Sequence, residues 1–187
     1  MIKKFFPTLL IAGLLFSYPA SNVIPIPNRE YLPALHKVLN SAQKKILVFM
    51  FEARYYPQYP DDPNMIILKD LVAAHKRGVK VTVLLDASSW NVSNTIMNKK
   101  FGDYLKSRGI DVWYDPPDVT SHDKLIMVDD SITIVGSTNW SYYALERNNE
   151  VSVIIYSKEV TKALEKHFYD VLRLSTREPK MKLRRRD

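Results

Sequence analysis

Residues 121–150 read SHDKLIMVDDSITIVGSTNWSYYALERNNE. Two short apolar runs, Lys124–Val128 and Ser131–Val135, flank Asp129-Asp130, the pattern of two β-strands joined by a tight turn. His122 and Lys124 stand at the head of the first run, and Gly136, Ser137 and Asn139 follow the second. The stretch has the form H-x-K-x4-D-x6-G-S-x-N, with Glu150 eleven residues past the asparagine.

These residue types suit a phosphodiester. His122 and Lys124 are two apart, so on an extended segment both point the same way. The lysine neutralises a non-bridging oxygen while the imidazole attacks phosphorus. Ser137 and Asn139, again two apart, offer hydroxyl and amide donors to the same oxygens. Gly136 leaves room for backbone near the ligand. A nucleophilic imidazole needs one nitrogen free and the other held by a carboxylate that fixes the tautomer. Glu150, at the start of a neighbouring strand, is the candidate for that role. Asp129 has opposite parity to His122 and is read as a supporting, turn-fixing residue.

Working outward, Asn22 to Pro27 is an extended, Pro-containing lead-in, and Asn28 is placed to cap a helix reaching about Ala42. Residues 45–51 (KILVFMF) are continuously apolar, as in a strand buried on both faces. Helices are expected at 64–76 and 94–107, closed by Gly78 and Gly109, with strands at 79–85 and 110–114. A strand at 151–156 and a helix at 158–172 follow the opening stretch. The fold class expected is α/β, with a mixed, largely parallel central sheet flanked by helices on both faces.

The chain has 187 residues and no cysteine, which suits one domain and excludes disulfides, thiol catalysis and cysteine metal sites. Residues 1–20 pair two lysines with an apolar run and small residues, the layout of a signal peptide or, failing cleavage, an N-terminal anchor. An exported, periplasmic or secreted protein is expected. Residues 21–176 form the single domain, and 177–187 a basic tail expected to be disordered. The formal charge is +7, but most of it sits on Lys3, Lys4 and that tail. Net charge therefore does not by itself argue for nucleic acid.

The pattern reproduces the HKD signature of the phospholipase D superfamily without a gap, and the chain resembles that superfamily. The resemblance covers residues 121–150 as a motif and about 28–173 as a fold pattern, a phospholipase D-like half. It implies a covalent phosphohistidine at His122, phosphate held by Lys124 and Asn139 with Ser137 assisting, and Glu150 orienting the histidine. Asp129 completes the catalytic set of the signature. It implies no metal and no cofactor. The spacing of the acid is similar to that of short exported bacterial endonucleases in the superfamily. One motif supplies one histidine where two are wanted, so a homodimer with a shared active site on its twofold axis is expected.

The remaining candidates read as structural. His36, His75 and His167 fall on expected helices, and Asp61-Asp62 and Asp129-Asp130 fall in turns. Residues 52–63 (EARYYPQYPDDP) are aromatic and Pro-rich, either a lid or stacking platform for substrate or a packed surface loop. Three functions stand open: a metal-independent endonuclease on DNA or RNA, a phospholipase D acting on phospholipid head groups, and a non-catalytic nucleic-acid or membrane binding protein. The intact set of nucleophile, phosphate ligands and orienting acid argues against the third.

Overall fold

The computed structural model describes residues 17–180. The expected signal or anchor segment lies outside them up to residue 16. Among the described residues no helix is long and apolar enough to cross a membrane.

Seven strands form one sheet in the order β1-β7-β6-β5-β2-β3-β4. They are β1 (Asn22–Pro27), β2 (Lys45–Met50), β3 (Lys80–Leu85), β4 (Asp111–Tyr114), β5 (Lys124–Val128), β6 (Ile132–Gly136) and β7 (Val151–Tyr156). The helices are α1 (Tyr31–Ser41), α2 (Pro63–Lys76), α3 (Val92–Lys106), a short α4 (Tyr142–Glu146) and α5 (Lys158–Leu172). The sheet is mixed, as expected, but parallel pairing is confined to β2-β3 and β3-β4. The other four neighbouring pairs are antiparallel. Parallel neighbours need crossover helices, and α2 and α3 supply them; past β4 the chain turns back directly into β5.

The continuous apolar runs reflect burial on both faces. Ile46, Val48 and Met50 of β2 pack with Leu35 and Leu39 of α1, Leu68 and Leu71 of α2, and Phe101 and Leu105 of α3. Leu47, Phe49, Leu125 and Met127 point the other way and meet Phe168 of α5. Alternate residues thus serve two cores. At about 25 cal/mol per Å² of apolar surface, each large side chain so buried contributes on the order of 2 kcal/mol.

Three expectations are corrected. The lead-in 22–27 is an edge strand paired with β7, where its prolines are tolerated because one edge of the strand carries no ladder bonds. Asn28 makes no helix-capping bond; it has φ +50 at the head of a short 3-10 turn (Asn28–Glu30). Of the tail expected at 177–187, residues 181–187 lie outside the described residues, but Arg177 and Glu178 are held in place. Thr176 pairs with Tyr114, Arg177 stacks 3.7 Å from the Trp113 ring centroid and pairs with Asp111, and Glu178 bridges Lys99 and Lys106. These contacts cover the free edge of β4, which otherwise presents unpaired backbone groups.

Candidate active site

Topology collects the motif. β5 runs antiparallel to β2 and β6, with Met50 opposite Lys124 and Leu125 opposite Val135. The start of β5 therefore lies beside the ends of β2 and β6 and the start of β7. The carboxyl ends of β3 and β4 open on the same side, the usual location of ligand sites in such sheets.

His122 is exposed, and its ring lies 4.4 Å from that of Phe51, tilted by 51°. Lys124 is 7% exposed. Its Nζ sits 4.8 Å from the same Phe51 centroid and donates to the His122 carbonyl at 2.8 Å. Burial holds the Lys124 ammonium below the usual lysine range, opposed by the carboxylates of Asp123, Glu52, Glu150 and Asp86. One phenyl ring thus positions both reactive side chains. Phe51 carries no chemistry of its own and reads in the sequence as the last residue of an apolar run, which is why motif reading passes over it.

Past β6, Gly136 lies against β7. A Cβ there would come within 2.4 Å of the Val151 carbonyl and of the Ser152 Cα. The glycine therefore makes room for the neighbouring strand, not for a ligand as expected. The Thr138 and Ser152 hydroxyls, both buried, bond at 3.0 Å and pin the exit of β6. Asn139 is half-buried, and its Oδ1 is buried without a hydrogen-bond partner among the described residues.

Glu150 and Ser137 are brought together, but not in the roles expected. The Ser137 hydroxyl donates to Glu150 Oε2, and the Asn148 side chain donates to Oε1 at 3.1 Å. The His122 ring contacts Phe51 and makes no hydrogen bond to another described residue. Within one chain, then, Glu150 orients Ser137 and leaves the imidazole unheld. Asn28 clamps Glu150 in turn, accepting from its amide through Oδ1 at 2.8 Å and donating to its carbonyl at 2.9 Å.

Asp129 is at the far end of β5. It has φ +53, and its carboxylate accepts from the amides of Gln43, Lys44 and Lys45 at 3.2, 2.8 and 3.2 Å. It ties the β5-β6 turn to the loop before β2, at the opposite end from His122 of a strand that by itself spans roughly 13 Å. It fixes the turn and stands apart from His122 and Lys124. His36 and His167 pair with Asp70 and Asp123, and Asp62 caps α2. Among the described residues no group of three or more His, Cys, Asp or Glu is placed to hold a metal ion.

The Tyr/Pro loop is half packed and half open. Tyr55 stacks on Tyr104 of α3, with centroids 4.9 Å apart, while Tyr56 and Tyr59 line a cavity of about 470 Å³ with Asp61, Asp62, Tyr142 and Tyr143. Trp140, two residues before this cavity's far wall, is fully buried and donates to the Tyr31 hydroxyl at 3.0 Å.

A mixed α/β sheet with this cluster at its open end defines a phospholipase D-like domain. Residues 35–172 match the family described as cardiolipin synthase, PLD-like domain, and the chain belongs to it, within the phospholipase D superfamily. Nuc from Salmonella typhimurium, a phospholipase D family member, is 26% identical with a TM-score of 0.67, over 83% of this chain and 96% of that one. NucT from Helicobacter pylori shares the fold at 18% identity and a TM-score of 0.64, over 83% and 99% of the two chains. A phospholipase D from Rickettsia felis is 32% identical over 114 residues, 60% of this chain and 54% of that protein. A cardiolipin synthase from Clostridium perfringens is 26% identical over 141 residues, 75% of this chain and 28% of that protein. The chain spans about a quarter to about a half of the length of the curated relatives it matches.

Proposed function

We propose that the chain is a metal-independent phosphodiesterase acting on DNA or RNA as an endonuclease. The imidazole of His122 attacks phosphorus, a P–N bond forms and the P–O bond to the leaving group breaks. Lys124 neutralises the non-bridging oxygens, and Asn139 adds its amide. The departing oxygen takes its proton from the partner subunit's His122, and water then displaces the enzyme from phosphorus. That step needs two copies of the half-site, so the working unit is a homodimer with one site on its twofold axis.

The observation that carries the nucleic-acid reading is the openness of the site. His122, Gly136 and Ser137 are all exposed, so a long diester reaches them without entering a tunnel. Exposed aromatic faces stand along the same end. Trp90 is 65% exposed and bonded to Thr120, two residues before His122; Tyr143 is 70% exposed, four residues past Asn139. Such faces stack unpaired bases while cations take the phosphates.

A second reading rests on the tyrosine cavity. Four aromatic rings with the carboxylates of Asp61 and Asp62 suit an ammonium head group, which favours phospholipid.

Purified protein incubated in excess EDTA with plasmid DNA, RNA and phospholipid vesicles separates the two. The nuclease reading expects nucleic-acid cleavage that is lost in His122→Ala. Head-group release without nicking overturns it in favour of the lipase, and activity abolished by EDTA contradicts the mechanism for either substrate. Full activity from a monomer at high dilution sinks the shared site.

A further inference from the structure

Beside the loop that carries His122 lies a buried polar cluster that the chemistry above does not use. Asp86, just past β3, and Asp115, just past β4, are 0% and 1% exposed. They meet because β3 and β4 are parallel neighbours with Leu85 opposite Tyr114. Their surroundings are unequal. Asp86 accepts from the Ser88 hydroxyl at 2.6 Å, the Ser88 amide at 3.3 Å, the Ser121 amide at 3.1 Å and the Asn94 side chain at 3.4 Å. Four donors satisfy both oxygens of this buried carboxylate. Asp115 accepts from the Ala87 amide at 2.7 Å through Oδ1, while its Oδ2 is buried with no full hydrogen bond, although Ser121 lies beside it. Burial above all, reinforced by the Asp86 charge and opposed by Ser121 and Ala87, pushes the Asp115 carboxyl up to about 7.

Ser121 is the residue before His122. Its amide is tethered to Asp86, and on the other side of the histidine the Asp123 carbonyl accepts from the Phe51 amide at 2.8 Å. His122 is therefore strung between two fixed points, and Pro116 and Pro117 stiffen the chain leading up to it.

We propose that Asp86 and Asp115 are positioning residues for His122: Asp86 anchors the Ser121 peptide, and Asp115, buried beside it with one oxygen left without a donor, sets how firmly that anchor holds. Ionising Asp115 sets two carboxylates against one peptide in a low-dielectric site and loosens the loop. The other charged groups at this end are Glu52 past β2, Arg54, which pairs with Glu52 and donates to Asn94, Asp118 in the loop itself, and Asp123 and Lys124 beyond His122, with Glu150 acting on that lysine. The side chains that α3 contributes here, Asn94 and Asn98, are neutral. Proper placement of His122 is thus confined to pH below the Asp115 midpoint. Catalysis feels the change in kcat more than in KM, because the nucleophile and not the phosphate ligand moves.

The activity arm of the test rests on the phosphodiesterase reading; the spectroscopic arm does not. In wild-type protein, carboxyl ¹³C NMR is expected to show Asp115 titrating far above the ordinary carboxylate range, with the Ser121 and His122 amide resonances shifting in step. In Asp115→Asn those amides lose that transition. With bis(p-nitrophenyl) phosphate as a generic diester, wild-type kcat is expected to fall about tenfold above neutrality, and the midpoint of that fall shifts in Asp115→Asn. Amides that titrate in a protein without turnover uphold the positioning and sink the phosphodiesterase reading. An Asp115 midpoint in the ordinary range, or an alkaline fall whose midpoint is unchanged in Asp115→Asn, overturns the proposal. The wild-type titration decides alone if the variant does not fold.

Discussion

The Ser137 hydroxyl donates to the Glu150 carboxylate, tying the exit of β6 to the start of β7. That carboxylate also helps keep Lys124 protonated against the pull of burial. Glu150→Gln removes the charge but keeps the shape. It is expected to lower kcat/KM by roughly tenfold to a hundredfold. Without Glu150 the Lys124 ammonium loses its proton at lower pH, so the alkaline limb of a kcat/KM–pH profile should move to lower pH. A profile superimposable on wild type would show that Glu150 is only a strut.

Lys124 fills a narrow place between the Phe51 ring and the His122 carbonyl. Lys124→Met is expected to cost on the order of 10²–10³ in kcat, the range seen when one donor to a developing charge is removed. Lys124→Arg should recover little of this, since a planar guanidinium does not replace a compact ammonium there. Steady-state kinetics on any accepted diester measures both.

Asp129→Ala separates structure from catalysis. It removes the acceptor for three backbone amides and leaves alanine at φ +53. A loss of about 1–3 kcal/mol is expected in denaturant unfolding, with kcat per folded molecule unchanged. Asp129→Asn, which tolerates the left-handed region, should lose less. A selective collapse of kcat in a stable Asp129→Ala protein would return this residue to the catalytic set.

Gly136→Ala forces a methyl group against the backbone of Val151 and Ser152. Backbone cannot rotate away as a side chain can, so β6 and β7 must part where Ser137 and Glu150 meet. A destabilisation of at least about 2 kcal/mol is expected, accompanied by loss of activity. Thermal unfolding checks the first and kinetics the second.

Asp115 also links stability to pH. In the fold it holds its proton up to about 7, while the unfolded chain releases it near 3.8. Between those values the folded state binds more protons, so stability falls as pH rises and levels off above about 7. Asp115→Asn removes that loss. Its Tm relative to wild type should therefore rise from pH 4 to pH 7, by an amount corresponding to a few kcal/mol at most.

Much of this molecule is written in local pattern. The alternation that sends Leu47 and Phe49 one way and Ile46, Val48 and Met50 the other follows from a run apolar on both faces. His122, Lys124, Ser137 and Asn139 are recognisable because a phosphate needs those atoms at those spacings, and the parity of Asp129 already pointed it away from them. What pattern could not supply was partners. Phe51 under His122, Asn28 clamping Glu150 and Asp86 holding the Ser121 amide are separated by dozens of residues in sequence. The first and third meet because β5 runs against β2 while β3 runs with it, and the second because β1 runs against β7 with Pro27 opposite Val151.

The chain's local order therefore determined which groups gather at the open end of the sheet: periodicity and residue chemistry act over a few residues and need no partner. The tertiary structure decided what holds them. It gave Glu150 to Ser137 in place of His122, Gly136 to the neighbouring strand, and Arg177 to the sheet edge, because strand order and register set which distant backbones and side chains share a space.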